Sequence, residues 1–174
     1  MFAGKTEELL RRVRRANIGG RHVQVFTHAL DVRGGAERIA SHAGLEHPSQ
    51  TVRSAAEIPQ SVRPETDIVA IDEAHFFGPD LVPAVEEIAD RGVLVLVAGL
   101  DVTFAGRPFE PMPSLMALAE SVDKLTAICT VCGAEAVFHQ RTASGGAVPT
   151  DLVVENVGGS EKYEARCRSH FEPS

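Results

Sequence analysis

Residues 67–98 read DIVAIDEAHFFGPDLVPAVEEIADRGVLVLVA, and this stretch decides the fold. The runs Asp67–Ile71 and Val93–Ala98 are short, rich in Val and Ile, and apolar without alternation. Such runs suit parallel strands covered on both faces. Between them, roughly over 79–90, Leu81, Val82, Val85 and Ile88 recur at helical spacing and should point inward. Strand, helix, strand in that order is the βαβ pattern of an α/β domain. Working outward, Val23–Thr27 supplies a third apolar run, so three buried strands are expected. Upstream, residues 5–17 place Leu9, Leu10, Val13 and Ala16 on one helical face, with Arg11, Arg12, Arg14 and Arg15 turned elsewhere. Gly19-Gly20 ends that helix. A further helix is expected near 113–121, after the Pro-rich PFEPMP.

The character changes after about residue 124. Segments shorten, cysteines appear for the first time, and RTASGGAVPT (141–150) reads as a loop. The expected organisation is an α/β domain over 1–123 and a small appended lobe over 124–174. The chain has 174 residues, 44% of them hydrophobic, enough for one ordinary domain with a substantial core. Its net charge of −7 argues against a broad phosphate-tracking surface for DNA or RNA. A small nucleotide needs only one local pocket and is not excluded. The sequence has neither an apolar run of 18 residues nor a signal peptide, so no membrane span and a cytoplasmic location are expected.

Gly4-Lys5-Thr6 stands directly before the first helix and matches the end of the Walker A pattern. The chemistry explains the residue types. Glycine lets backbone N–H groups approach phosphate oxygens, and the helix N-terminus favours negative charge. Lysine reaches the β- and γ-phosphates, and the threonine hydroxyl can bind Mg²⁺. The same tripeptide can also serve as a plain helix cap. The first glycine of the pattern would fall two positions before Met1, and the strand that should precede the loop is expected to be missing.

Asp72 and Glu73 follow the apolar run DIVAI. A carboxylate at the end of such a strand is where Walker B places its Mg²⁺ partner. The other reading is a pair of solvated acids opening a loop. Asp72-Glu73-Ala74-His75 also spells the motif of DEAH-type helicases. Those motors need two RecA-like domains and a basic track, whereas this chain has room for one such domain and is acidic. Cys129-x-x-Cys132 is followed by Cys167-x-x-His170, which uses all three cysteines in paired ligand spacing. Cys₃His suits structural zinc and leaves no open position for catalysis. The alternative is three buried thiols and a surface histidine.

Taken together, these motifs resemble the zinc-containing, tetrameric class of thymidine kinases. MFAGKTEELLRRVRRANIGG (1–20) is similar to that family's phosphate loop and first helix, and DVR (31–33) to its D-x-R element. IDEAHFF (71–77) is similar to its D-E-x-Q-F-F segment. AGLDVTFAGRPFEPMPSLMALAESVDKLTAIC (98–129) and VGGSEKYEARCRSH (157–170) resemble its most characteristic stretch and its C-terminal signature. The resemblance implies a P-loop (RecA-like) parallel sheet with a small zinc lobe. It implies a homotetramer that uses ATP, Mg²⁺ and thymidine.

By the same resemblance Met1, Phe2, Ala3, Gly4, Lys5, Thr6, Asp31, Arg33, Asp72, Glu73, Ala74 and His75 fall on the nucleotide side. Glu73 would be the general base. Met1, Phe76, Leu100, Phe104, Phe109, His139, Val154, Val157 and Tyr163 would enclose the thymine. The loop from 141 to about 158 would fold over the nucleoside. His75 stands where the family has glutamine, and His139 where it usually has threonine. Two imidazoles beside one pocket would bring a titration near neutrality to it, or both are tolerated changes. Two hypotheses stand at this point: an active thymidine kinase, and a truncated, catalytically impaired homologue or binding protein on the same scaffold.

Overall fold

The protein is described here from a computed structural model covering residues 1–31, 38–40, 46–141 and 163–173. Its centre is a four-stranded parallel sheet. The strands are β1 (Val23–His28), β4 (Gln50–Val52), β5 (Ile68–Ile71) and β6 (Leu94–Val97), in the order β4-β1-β5-β6. All four residues of β5 are buried, as an unbroken Ile-Val-Ala-Ile run requires. Alternation then sorts its side chains. Val69 and Ile71 face one side with Phe26 of β1, and Ala70 faces the other with Val25.

Each face has its own cover. On the first side, α2 (Glu57–Ser61) brings Ile58, and α3 (Leu81–Asp90) brings Leu81, Ala84 and Ile88. On the second, α1 (Lys5–Ile18) lays Leu9, Leu10 and Val13 over Val25 and Ala70. Each Leu, Ile or Val among these, fully buried, contributes about 1.5–3 kcal/mol of transfer free energy. The strand–helix–strand order read from 67–98 is therefore the observed β5-α3-β6.

Three expectations need correction. The run Val93–Ala98 is not a strand covered on both faces: Leu94 is 56% exposed and Val95–Val97 are half-buried. The reason is position, because β6 is the last strand of the sheet among the described residues. It flanks an open cavity of about 550 Å³ between α1, α3 and α4 (Met112–Leu118). Helix α4 also ends earlier than 121, because Ala119 turns extended at ψ 141°. Finally, Val82 and Val85 of α3 are only half-buried, while Ala84, which apolar spacing had not singled out, is buried.

Some elements carry no signal in the sequence. β4 is the polar Gln-Thr-Val, held by its parallel register with β1. A short hairpin pairs β2 (Arg38–Ala40) with β3 (Glu46–Pro48). Towards the C-terminus, β7 (Ala127–Ile128) pairs antiparallel with β8 (Glu135–Ala136), and β9 (Phe138–Arg141) with β10 (Tyr163–Arg166). Small residues pack there: Ala127, Ala136 and Ala165 with Cys129 and Cys167, and Ala3 of the N-terminal loop lies against them. No helix of the described residues is long and apolar enough to cross a membrane.

Candidate active site and metal cluster

The sheet places the acidic pair at the C-terminal end of β5. The Asp72 N–H donates to the Phe26 carbonyl at 3.0 Å, and the Ala74 N–H to the Ala98 carbonyl at 2.9 Å. The end of β5 is thereby tied to both neighbouring strands. Opposite it, Gly4 sits at φ 72°, a left-handed conformation that glycine adopts without strain, and α1 begins at Lys5. The Thr6 hydroxyl donates to Asp72 Oδ2 at 2.8 Å across a separation of 66 residues. Asp72 Oδ1 accepts the Glu73 N–H at 2.9 Å.

Burial, with the neighbouring Glu73 carboxylate, pushes the Asp72 carboxyl up to about 6, against the opposing pull of the Thr6 hydrogen bond and Lys5. An oxygen pair of this kind is short of positive charge. A hydroxyl and a carboxylate side by side at a strand end are the donor set that hard divalent cations such as Mg²⁺ take.

Glu73 is buried and sits at φ 49°, which is strained for a residue with a Cβ. It opens the 3₁₀ turn Ala74–Phe77. His75 Nε2 lies 3.4 Å from Glu73 Oε2, and His75 Nδ1 accepts the Leu100 N–H at 3.3 Å. The rings of Phe76 and Phe109 stand 4.3 and 5.2 Å from the imidazole. His75, Phe76, Leu100 and Phe109 therefore form one group.

A second group gathers on β9 and β10. His139 meets Tyr163 edge to face at 5.5 Å, both buried, and the Arg141 guanidinium lies 5.4 Å over the Phe104 ring. The loop 101–109 carries both Phe104 and Phe109 and so belongs to both groups. Met1 and Ala3 are half-buried, Phe2 is 39% exposed at φ 60°, and the Asp31 N–H donates to the His28 carbonyl. Arg33, Val154, Val157 and the expected covering loop lie outside the described residues. The large cavity beside β6 reaches this region through Lys5 and through Ala98, Gly99 and Asp101.

Sequence reasoning missed Arg141 and the contacts of His75 with Leu100 and Glu73. No local pattern announces the Arg141–Phe104 or the His75–Leu100 contact, because the partners lie 25 or more residues apart.

The ligand atoms of Cys129, Cys132, Cys167 and His170 all lie within 4.8 Å of one another. The Cys132 and Cys167 sulfurs are 3.7 Å apart, and Cys167 Sγ is 3.3 Å from His170 Nδ1. Zinc–thiolate bonds of about 2.3 Å require a tetrahedral edge of about 3.8 Å between sulfurs, so the quartet is compatible with zinc. The local backbone favours the metal-binding thiolate. N–H groups of Cys167, Val131 and Cys132 hold the Cys129 thiol down to about 6. The turn that presents the first pair is closed by the Gly133 N–H on the Cys129 carbonyl at 2.9 Å, with Gly133 at φ 74°.

A parallel sheet with a glycine-led helix start facing paired carboxylates defines an α/β protein of the P-loop nucleotide-binding class. Within that class the chain belongs to the thymidine kinase family, whose model it matches over residues 1–171. It is 47% identical over 173 residues to a thymidine kinase of Bdellovibrio bacteriovorus, covering 99% of this chain and 82% of that relative. It is 49% identical over 180 residues to a thymidine kinase of Deinococcus deserti, covering 98% of this chain and 89% of that one. The family match sets aside the helicase reading of residues 72–75.

Proposed function

We propose that this protein transfers the γ-phosphate of ATP to the 5′-hydroxyl of thymidine, giving thymidine monophosphate and ADP. The observation that carries the reading is the meeting of Thr6 with Asp72, next to Glu73, in a chain of the thymidine kinase family. The 5′-hydroxyl oxygen attacks the γ-phosphorus, its proton passes to the Glu73 carboxylate, and the bond to the ADP oxygen breaks. Lys5 and the N–H groups at the start of α1 neutralise phosphate charge. Thr6 and Asp72 would hold Mg²⁺, which supplies charge neutralisation on the phosphates. Little covalent work falls to the protein, so positioning and electrostatics account for most of the acceleration.

In this reading Met1, Phe76, Leu100, Phe104, Phe109, His139 and Tyr163 enclose the base, and apolar and aromatic groups suit a flat ring. Val154 and Val157 join them from outside the described residues, and Arg33, also outside them, stands on the nucleotide side. Residues 124–174 form a lobe closed on zinc by Cys129, Cys132, Cys167 and His170, and the chain assembles as a homotetramer. The test is direct. Thymidine with Mg-ATP should yield thymidine monophosphate by chromatography, and Glu73→Ala should lower kcat by about 10³-fold or more. Full turnover in that variant would refute Glu73 as the base. Absence of product from the intact chain would favour the impaired-homologue reading.

A further inference from the structure

We propose that His75 is a positioning residue for Glu73, holding its carboxylate through Nε2–H while Nδ1 is fixed by the backbone of Leu100. This rests on the assignment of Glu73 as the base. The Leu100 N–H can only donate, so His75 Nδ1, 3.3 Å away, carries a lone pair. The ring proton of the neutral imidazole is then on Nε2. That nitrogen lies 3.4 Å from Glu73 Oε2. Both side chains are nearly closed to water, at 2% and 7% exposure. A buried imidazole whose one nitrogen is fixed by a backbone amide has a defined tautomer and ring orientation, and it passes that orientation to what the other nitrogen touches.

Glu73 needs such a constraint. Its backbone lies at φ 49°, and only the surroundings keep a side chain aimed from a strained position. His75 is two residues further along the same 3₁₀ turn, so the clamp is short and stiff. Its other end is on the segment that carries Leu100, Phe104 and Phe109. A shift of that segment around a nucleoside is therefore carried to the base carboxylate through one ring, against which Phe109 packs at 5.2 Å.

Two measurements test this. In the first, His75→Phe keeps the ring and removes both nitrogens, whereas His75→Gln offers one donor and one acceptor on a flexible stem. We expect His75→Phe to lower kcat by about 10-fold or more while KM for thymidine changes by no more than about threefold, and His75→Gln to recover most of kcat. Unchanged kcat in His75→Phe, a loss confined to KM, or no recovery with Gln would overturn the proposal.

The second measurement needs no turnover and stands if the phenylalanine variant fails to fold. Long-range ¹H–¹⁵N correlation on the ¹⁵N-labelled protein at pH 7.5 should show His75 as the neutral Nε2–H tautomer. Glu73→Gln should move that resonance. An Nδ1–H tautomer, an imidazolium, or a resonance unmoved by Glu73→Gln would overturn it. An active Glu73→Ala protein would instead sink the base assignment and leave the tautomer measurement standing, so the two failures are separable.

Discussion

Asp72 holds a carboxylate where the fold alone would prefer a neutral group. Its folded-state pKa of about 6 lies above the ordinary 3.8, through burial first and Glu73 second. Between those values the folded chain holds a proton that the unfolded chain has lost, so this group's contribution to stability falls as pH rises from about 4 through about 6. Asp72→Asn should therefore stabilise the ligand-free protein at pH 7.5 and change it little at pH 4. Paired urea melts at the two pH values check this, and a stability difference independent of pH would refute it.

His28, at the end of β1, behaves oppositely. Its Nε2 donates to the Arg53 carbonyl, its Nδ1 accepts the Leu30 N–H, and burial lowers its pKa. Its stabilising share is present above the ordinary value of 6.5 and is lost as pH falls through the lowered one. His28→Gln should flatten that acid limb in thermal melts.

Among the strands, composition alone does not rank β5 and β6, since both are short runs of branched and aliphatic residues. Position in the sheet separates them. β5 has a hydrogen-bonded neighbour on each side and a helix layer on each face, whereas β6 has an open flank. Ile71→Ala should cost about 2–5 kcal/mol, the range for a truncated core side chain. Leu94→Lys, at a site already 56% exposed, should stay within about 0.5 kcal/mol of the parent. Denaturant midpoints measure both, and a large loss for Leu94→Lys would mean that the flank of β6 is covered in solution.

The whole molecule is joined where its N-terminal and C-terminal parts meet. Ala3, next to the Gly4-Lys5-Thr6 helix start, packs on the cysteine-bearing cluster. Gly106, at φ 73°, lies where an added Cβ would come within 2.7 Å of the Phe171 ring, which stacks on Phe138 at 4.5 Å. The backbone conformation and the contact both disfavour a side chain there. Gly106→Ala should lower stability by about 1–3 kcal/mol and, because it shifts the loop of Phe104 and Phe109, raise KM for thymidine. Cys167→Ser should reduce bound zinc, read by elemental analysis, and lower Tm together with activity, since a zinc held by the quartet would tie β7 to β10 close to the start of α1.

The sequence by itself determined the features written at short range. Helical and strand periodicity over 67–98 specified a parallel α/β sheet, because burial on both faces selects unbroken branched runs. GKT before a helix, DE after a strand and two C-x-x-C/H pairs were readable for a similar reason: each is a tight chemical unit of neighbouring residues. Only the tertiary structure decided which run lies at the edge, that polar Gln50–Val52 is a strand, and that Thr6 meets Asp72. It alone decided that the Leu100 N–H meets the His75 ring and that the ring lies against Glu73. These depend on register and burial across dozens of residues, and no local pattern encodes which distant backbone amide will donate to a ring nitrogen.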